Sequence, residues 1–516
     1  MSNLQTCTLL TTLFFKKKKK KKKITMSKTT ELVFVPTPGM GHVVSTVELA
    51  KLILRTNHII SISIFILNIP NHSPKINAYV DSQSRDNPYP TRLTFVTLPP
   101  VSNSPDPSTT PTHFSSLIHL HKPLVKQAVE DRVRTGFPKP VGFVVDMFCS
   151  EMADIANEMH VPTYIYFTSG ASFLNLMFYS QSLADDGRNI DVAMEFNKQE
   201  FSAVVPGFRN PVTSKVIPAL LQDQKGCELL LNLARKFREM KGILVNTYTE
   251  LQSFGIQALM NGEVPPVYPV GPILELGEKR GGGTDTRDES VIQWLDGQPM
   301  SSVVFLCFGS RGTFDEEQVK EIANGLEKSG HRFLWALRKP PPPGGLGVSS
   351  DNKPFLEALP EGFIDRTGGR GKIIGWASQV EVLAHPAVGG FISHCGWNST
   401  LESLWFGVPI ATWPMDAEQQ LNAFELVKEI ELAVEIRMDY KRDLKTGKGT
   451  ILVTAEEVEN GVKTLMDMEP MEGKIGGRVK KMSDQGKKAL QEGGSSSIFL
   501  RRFIQHVLTS AVLPLE

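Results

Sequence analysis

Among the eleven histidines of this 516-residue chain, His42 stands out by its place. It closes the glycine turn PTPGMGH, directly after the apolar run ELVFVP, and so stands at the mouth of a strand. An imidazole, with an ordinary pKa near ~6.5, suits proton transfer close to neutral pH. The turn is not the dinucleotide fingerprint G-x-G-x-x-G, because Val44 stands where that pattern needs its last glycine. Asp146 ends a second apolar strand, FVVD. A carboxylate is poor core material, so it belongs at a strand mouth. There it could orient an imidazole or cap the helical segment that follows.

A third group of residues suits anion binding. VGGFISH, 388–394, reads as a buried strand, CGWN as a turn, and STLESLWFG from Ser399 as a helix closed by Gly407. A helix start after a tight turn presents free N–H groups and the positive end of a dipole, and a diphosphate is a natural occupant. Ser399 and Glu402 also spell S-x-x-E, a capping box that helices use with no ligand. His394 and Cys395 are adjacent, but no second Cys/His pair stands at metal-ligand spacing, so no metal is expected.

These residues lie within Trp376 to Gln419, WASQVEVLAHPAVGGFISHCGWNSTLESLWFGVPIATWPMDAEQ. The segment resembles the plant secondary product glycosyltransferase signature, the UDP-sugar box of family 1 glycosyltransferases. Trp376, Gln379, His394, Gly396, Asn398, Ser399, Glu402, Glu418 and Gln419 stand at the family's positions, with Ala377 and Trp397 between them. The resemblance runs from about Met26 to the C-terminus. It implies that Trp376 stacks on uracil and that Gln379 and Glu402 bond the ribose. His394, Asn398 and Ser399 would hold the phosphates, with Ser310 of FGS, and Glu418 and Gln419 the sugar hydroxyls.

The family's general base falls on His42, and its catalytic aspartate on Asp146 in VVDMFC. The implied reaction is inverting, metal-independent transfer of glucose from UDP-glucose, a co-substrate, with no cofactor. The diphosphate would be neutralised by dipoles and His394. The Gln419 amide would both donate to and accept from sugar hydroxyls. FTSGASFLNLMFY and FLCFGS look most like the subgroup acting on flavonoids, simple phenols and abscisic acid. Phe167, Phe173, Phe178 and Tyr179 suggest aromatic walls for a flat, lipophilic acceptor. A terpenoid acceptor, or a non-catalytic paralogue that binds a UDP-sugar or a hormone, is the alternative. Three residues depart from the family pattern: Ser378 stands where proline is common, Asp416 where tyrosine is, and Arg311 where methionine is.

The elements that must position these groups alternate as strands and helices, which marks an α/β protein. Strands are read at 31–36, 62–67, 93–98, 141–146, 161–168, 242–247 and 267–272, and again at 301–310, IIGWA, GGFISH and PIATWP. The resemblance implies the GT-B fold, two doubly wound Rossmann-like domains facing across a cleft. We expect an acceptor domain over 26–276, a glycine-rich linker over 277–290 and a UDP-sugar domain over 291–495. A C-terminal helix over 496–516 would pack back on the first domain.

The chain is 41% hydrophobic and 22% charged with net charge +1, ordinary for a globular protein and no reason to expect nucleic acid. Five scattered cysteines suit a reducing, cytoplasmic setting. No apolar run reaches the ~20 residues of a membrane span, and a monomer is expected. Residues 1–25 hold eight consecutive lysines at 16–23 behind LLTTLFF, the reverse of a secretory signal's order. This stretch is expected to be a disordered extension, foreign to the natural protein, that ends where Met26 opens the family pattern.

Overall fold

The computed structural model describes residues 30–69, 73–101, 111–276, 289–340, 353–443, 448–467 and 474–512. The lysine-rich extension, most of the expected linker (277–288) and the proline loop from 341 lie outside the described residues.

The first half carries β1 (Thr30–Val35), β2 (Ile60–Ile66), β3 (Leu93–Thr97), β4 (Pro140–Asp146) and β5 (Thr163–Phe167). A small hairpin, β6 (Ser202–Ala203) and β7 (Val212–Thr213), precedes β8 (Gly242–Val245) and β9 (Val267–Pro269). Seven of these strands form one parallel sheet, in the order β3-β2-β1-β4-β5-β8-β9. The second half repeats the design with β10 (Val303–Cys307), β11 (Arg332–Ala336), β12 (Gly371–Ile374), β13 (Val388–Ser393), β14 (Ile410–Thr412) and β15 (Ala433–Glu435). Its parallel order is β12-β11-β10-β13-β14-β15.

Both sheets are covered on both faces, which is why their strands read as continuous apolar runs. Alternate residues of a strand point to opposite faces. In β1, Val33 and Val35 join one core while Leu32 and Phe34 join another. In β10, Val303 and Phe305 are separated from Val304 and Leu306 in the same way. The helix Glu316–Ser329 shows how firmly local signals set the boundaries. Asp315 caps its start by accepting from Gln318 N at 3.0 Å, and Gly330 ends it at φ 75°.

Four strands are absent from the sequence reading: the two-residue β6 and β7, together with β11 and β15. β15 is only three residues long, and the apolar run of β11 is flanked by His331, Arg332 and Arg338. The helix Ser495–Val512 returns to the first sheet, where Leu500, Phe503, Ile504 and Val507 share a core with Ile62, Tyr164 and Tyr268. Tyr268 Oη and His506 Nδ1 meet at 2.6 Å.

In a doubly wound sheet the loops diverge where the strand order reverses, and ligands bind at the carboxyl ends there. Here the reversals fall between β1 and β4 and between β10 and β13. The two carboxyl edges meet: Asn398 Nδ2, beyond β13, donates to Gly41 O at 3.3 Å, and Ser169 Oγ, beyond β5, donates to Glu418 Oε1 at 2.9 Å.

Candidate active site

His42 and Asp146 flank the first reversal and are brought into direct contact. His42 Nδ1 lies 2.8 Å from Asp146 Oδ2. The other carboxylate oxygen, Oδ1, accepts from the Thr37 hydroxyl and from Phe148 N at 3.2 Å. One oxygen thus caps the short helix Met147–Met152 while the other contacts the imidazole. Thr168 Oγ1 lies 2.9 Å from His42 Nδ1 and donates to Asp146 Oδ2 at 3.4 Å. With Nδ1 engaged, Nε2 is the nitrogen left for a ligand, and the His42 side chain is 29% exposed while the carboxylate is fully buried. Burial, the largest single influence, lowers the His42 pKa, but the charge and hydrogen bond of Asp146, with Glu418, outweigh it and leave it above 6.5.

The residues read as donor-binding stand at four carboxyl ends of the second sheet. Trp376 and Ala377 follow β12, Ser310 follows β10, His394 to Glu402 follow β13, and Asp416 to Gln419 follow β14. Trp376 is 41% exposed, so its ring is free to stack. Gln379 Nε2 bridges Ser399 Oγ at 2.8 Å and Glu402 Oε2 at 2.6 Å. Burial pushes the Glu402 carboxyl up to about 7, opposed by that bond. No capping box forms at Ser399 and Glu402. Cys395 turns at φ 60°, the helix starts at Trp397 behind Gly396, and Ser399 is already inside it. A capping box forms instead at Thr454 and Glu457.

Three expectations need correction here. The Trp397 indole is not free for the donor. It is buried and donates to Asn246 O at 2.7 Å, so it ties the two halves together. His394 carries no charge near neutral pH, because burial, with Arg311 and Arg338 adding to it, pushes its pKa down to about 4. It is a neutral hydrogen-bonding group, and its ring is wedged so tightly that a Cβ on Gly309 or Gly396 would lie 2.5 Å from Nε2. The Gln419 amide, finally, cannot accept from a sugar. Its Oε1 takes Met415 N at 2.9 Å and Asp416 N at 3.0 Å, and Nε2 donates to Asp416 Oδ1 at 3.0 Å. One N–H remains for a hydroxyl.

Two of the departures answer each other. Arg311 Nη2 lies 3.4 Å from Asp416 Oδ1, and Arg442 Nη2 donates to Oδ2 at 2.6 Å. Burial raises the Asp416 pKa, but the two arginines outweigh it and hold the carboxyl below its usual range. Ser378 stands at the start of the helix Gln379–Leu383 and makes no capping bond.

The aromatic walls also differ from expectation. Phe167, Phe173 and Phe178 are core residues at most 5% exposed, because β5 and the helix Ala171–Asp185 are covered on both sides. An aromatic ring beside His42 is Phe148, edge-on at 5.8 Å. Sequence reasoning also missed Thr37, Thr168, Arg338 and the seam carboxylate Glu425. No local pattern marks them, since each acquires its role from a partner far along the chain. Glu425, pushed by burial up to about 7, accepts from Ser172 Oγ at 2.6 Å and Gln252 Nε2 at 2.8 Å.

Among the described residues, the buried Asn398 Oδ1 has no hydrogen-bond partner. Among the described residues, no three His, Cys, Asp or Glu side chains cluster as a metal site, and no helix is long and apolar enough to cross a membrane.

A family model described as UDP-glucoronosyl and UDP-glucosyl transferase matches residues 284–467. The chain is 47% identical over 493 residues to UDP-glucose flavonoid 3-O-glucosyltransferase 6 of Fragaria ananassa, covering 94% of this chain and 100% of that one. It is 47% identical over 473 residues to anthocyanidin 3-O-glucosyltransferase 1 of Manihot esculenta, covering 91% and 100%. Among solved structures, Medicago truncatula UGT71G1 complexed with UDP-glucose matches at TM-score 0.80 and 37% identity, over 93% of this chain and 98% of that one.

Proposed function

Because this chain belongs to the UDP-glucosyl transferase family, with its GT-B fold, we propose that it moves glucose from UDP-glucose to a hydroxyl of a flavonoid or related small phenolic. The observation that carries the reading is the His42–Asp146 pair, seated at one reversal point and facing the donor residues of the other. The acceptor hydroxyl gives its proton to His42 Nε2 as its oxygen forms a bond to the anomeric carbon. The bond from that carbon to the diphosphate oxygen breaks on the opposite face, UDP departs with the electron pair, and an α-donor yields a β-glucoside. Asp146 steadies the imidazolium that results. The enzyme acts as a cytoplasmic monomer in this reading. The linker over 277–290 separates an acceptor domain from a UDP-sugar domain.

The test is a panel of phenolic and terpenoid alcohols incubated with UDP-glucose and followed by mass spectrometry. A gain of one hexose on flavonols or simple phenols is expected. Binding of UDP-glucose with no hexose transferred to any acceptor would instead favour a non-catalytic paralogue.

Two further expectations arise from the same geometry. Imidazolium cannot accept a proton, and the His42 pKa lies above 6.5, so kcat/KM should fall with decreasing pH along a limb centred above 6.5. A limb centred near 4 would place the base elsewhere. Transfer should also persist in excess EDTA, because in this reading the diphosphate is met by N–H groups at the start of the helix Trp397–Phe406 rather than by a cation. Complete loss on chelation, restored by Mg²⁺, would overturn that reading.

A further inference from the structure

The loop leaving β10 is held from one side by guanidinium groups. Arg338 Nη1 donates to Ser310 O at 2.7 Å, and Nη2 donates to Gly309 O and, at 3.2 Å, to Gly312 O. Arg442 Nη1 donates to the remaining carbonyl, Arg311 O, at 2.8 Å. A trans peptide points its N–H opposite to its C=O. The N–H groups of Ser310 and Arg311 are therefore turned away from Arg338. Among the described residues neither has a hydrogen-bond partner. Successive N–H groups facing one side form an anion-binding concavity. The loop also lies against the His394 ring, as the tight approach of Gly309 requires.

Arg338 is itself unusual. It is 7% exposed, and among the described residues it pairs with no carboxylate. A buried cation with only carbonyl partners is costly until an anion comes near. Burial lowers its pKa, and its field reaches His394.

We propose that Arg338, though it stands behind the loop, is a positioning residue for the donor's diphosphate. It holds the Gly309–Gly312 carbonyls so that the Ser310 and Arg311 N–H groups face the phosphates, and its charge is answered only when they arrive. This role rests on the reading of the chain as a UDP-sugar transferase.

Calorimetric titration with UDP and with uridine separates the possibilities, since uridine lacks the phosphates. In Arg338→Met, UDP affinity should fall about 10- to 100-fold while uridine affinity stays within about twofold of the parent. Equal weakening of both ligands would mean a general structural role, and unchanged UDP affinity would mean no role; either overturns the proposal. Should the methionine variant fail to fold by its melting curve, Arg338→Lys decides. Lysine keeps the charge but reaches fewer carbonyls, so a several-fold loss for UDP alone is expected, and unchanged UDP affinity or equal loss of both ligands overturns the role. If the parent protein binds UDP no better than uridine, the donor assignment itself fails, whatever the variants do.

Discussion

Replacing His42 with alanine is expected to slow glucose transfer to an aliphatic alcohol by about 10²- to 10⁴-fold, the usual contribution of a positioned general base. The donor site should be spared. Its residues stand at the carboxyl ends of the second sheet, whereas His42 stands in the first turn of the helix Met40–Thr56 that follows β1. UDP affinity measured by calorimetry should therefore match the parent. The loss should shrink on acidic phenols, which ionise with less help, so a plot of residual rate against acceptor pKa should slope. Turnover within a few-fold of the parent on an aliphatic alcohol would show that another group takes the proton.

Asp146→Asn should cost as much, for a reason the hydrogen bonds spell out. Oδ1 receives two donors, the Thr37 hydroxyl and Phe148 N, so the oxygen of an asparagine must take that place. Its NH2 group is then left facing His42 Nδ1. Two N–H donors cannot face each other, so Nδ1 must become the acceptor and the ring proton moves to Nε2. That nitrogen then cannot take a proton from the substrate. In acyl-transfer triads the corresponding exchange lowers kcat by about 10⁴-fold with geometry intact, and a loss of that order is expected here. Steady-state kinetics on a variant whose melting curve matches the parent decides the matter. Activity within about tenfold would mean that Asp146 serves only as the cap of Met147–Met152.

Local signals carried much of this architecture. Strand runs bounded by glycine turns placed β1, β4, β10 and β13, and those four strands frame both reversal points. In the helix Glu316–Ser329, the Asp315 cap and the Gly330 stop are both local signals. What escaped was decided by partners far away in sequence. Trp397 looks the same in a string of letters whether its indole faces a ligand or reaches Asn246, 151 positions earlier. Phe167, Phe173 and Phe178 are apolar in a pocket wall or in a core, and only the covering helices distinguish the two. Arg311 and Asp416 each looked like an isolated departure until the fold set them side by side.

The helix Ser495–Val512 has a consequence for biosynthesis. The ribosome releases β4 and β5 more than three hundred residues before the helix that covers them. Until then, the faces that will meet Leu500, Phe503, Ile504 and Val507 stay open to solvent. The first half cannot complete its own core as it emerges, and the nascent chain must wait for its last segment or rely on chaperones. A chain ended at residue 494 should accordingly be recovered largely as aggregate, and expressing the missing helix alongside it should restore some soluble protein. Soluble, cooperatively melting protein from the shortened chain alone would show that the first sheet closes without its final strap.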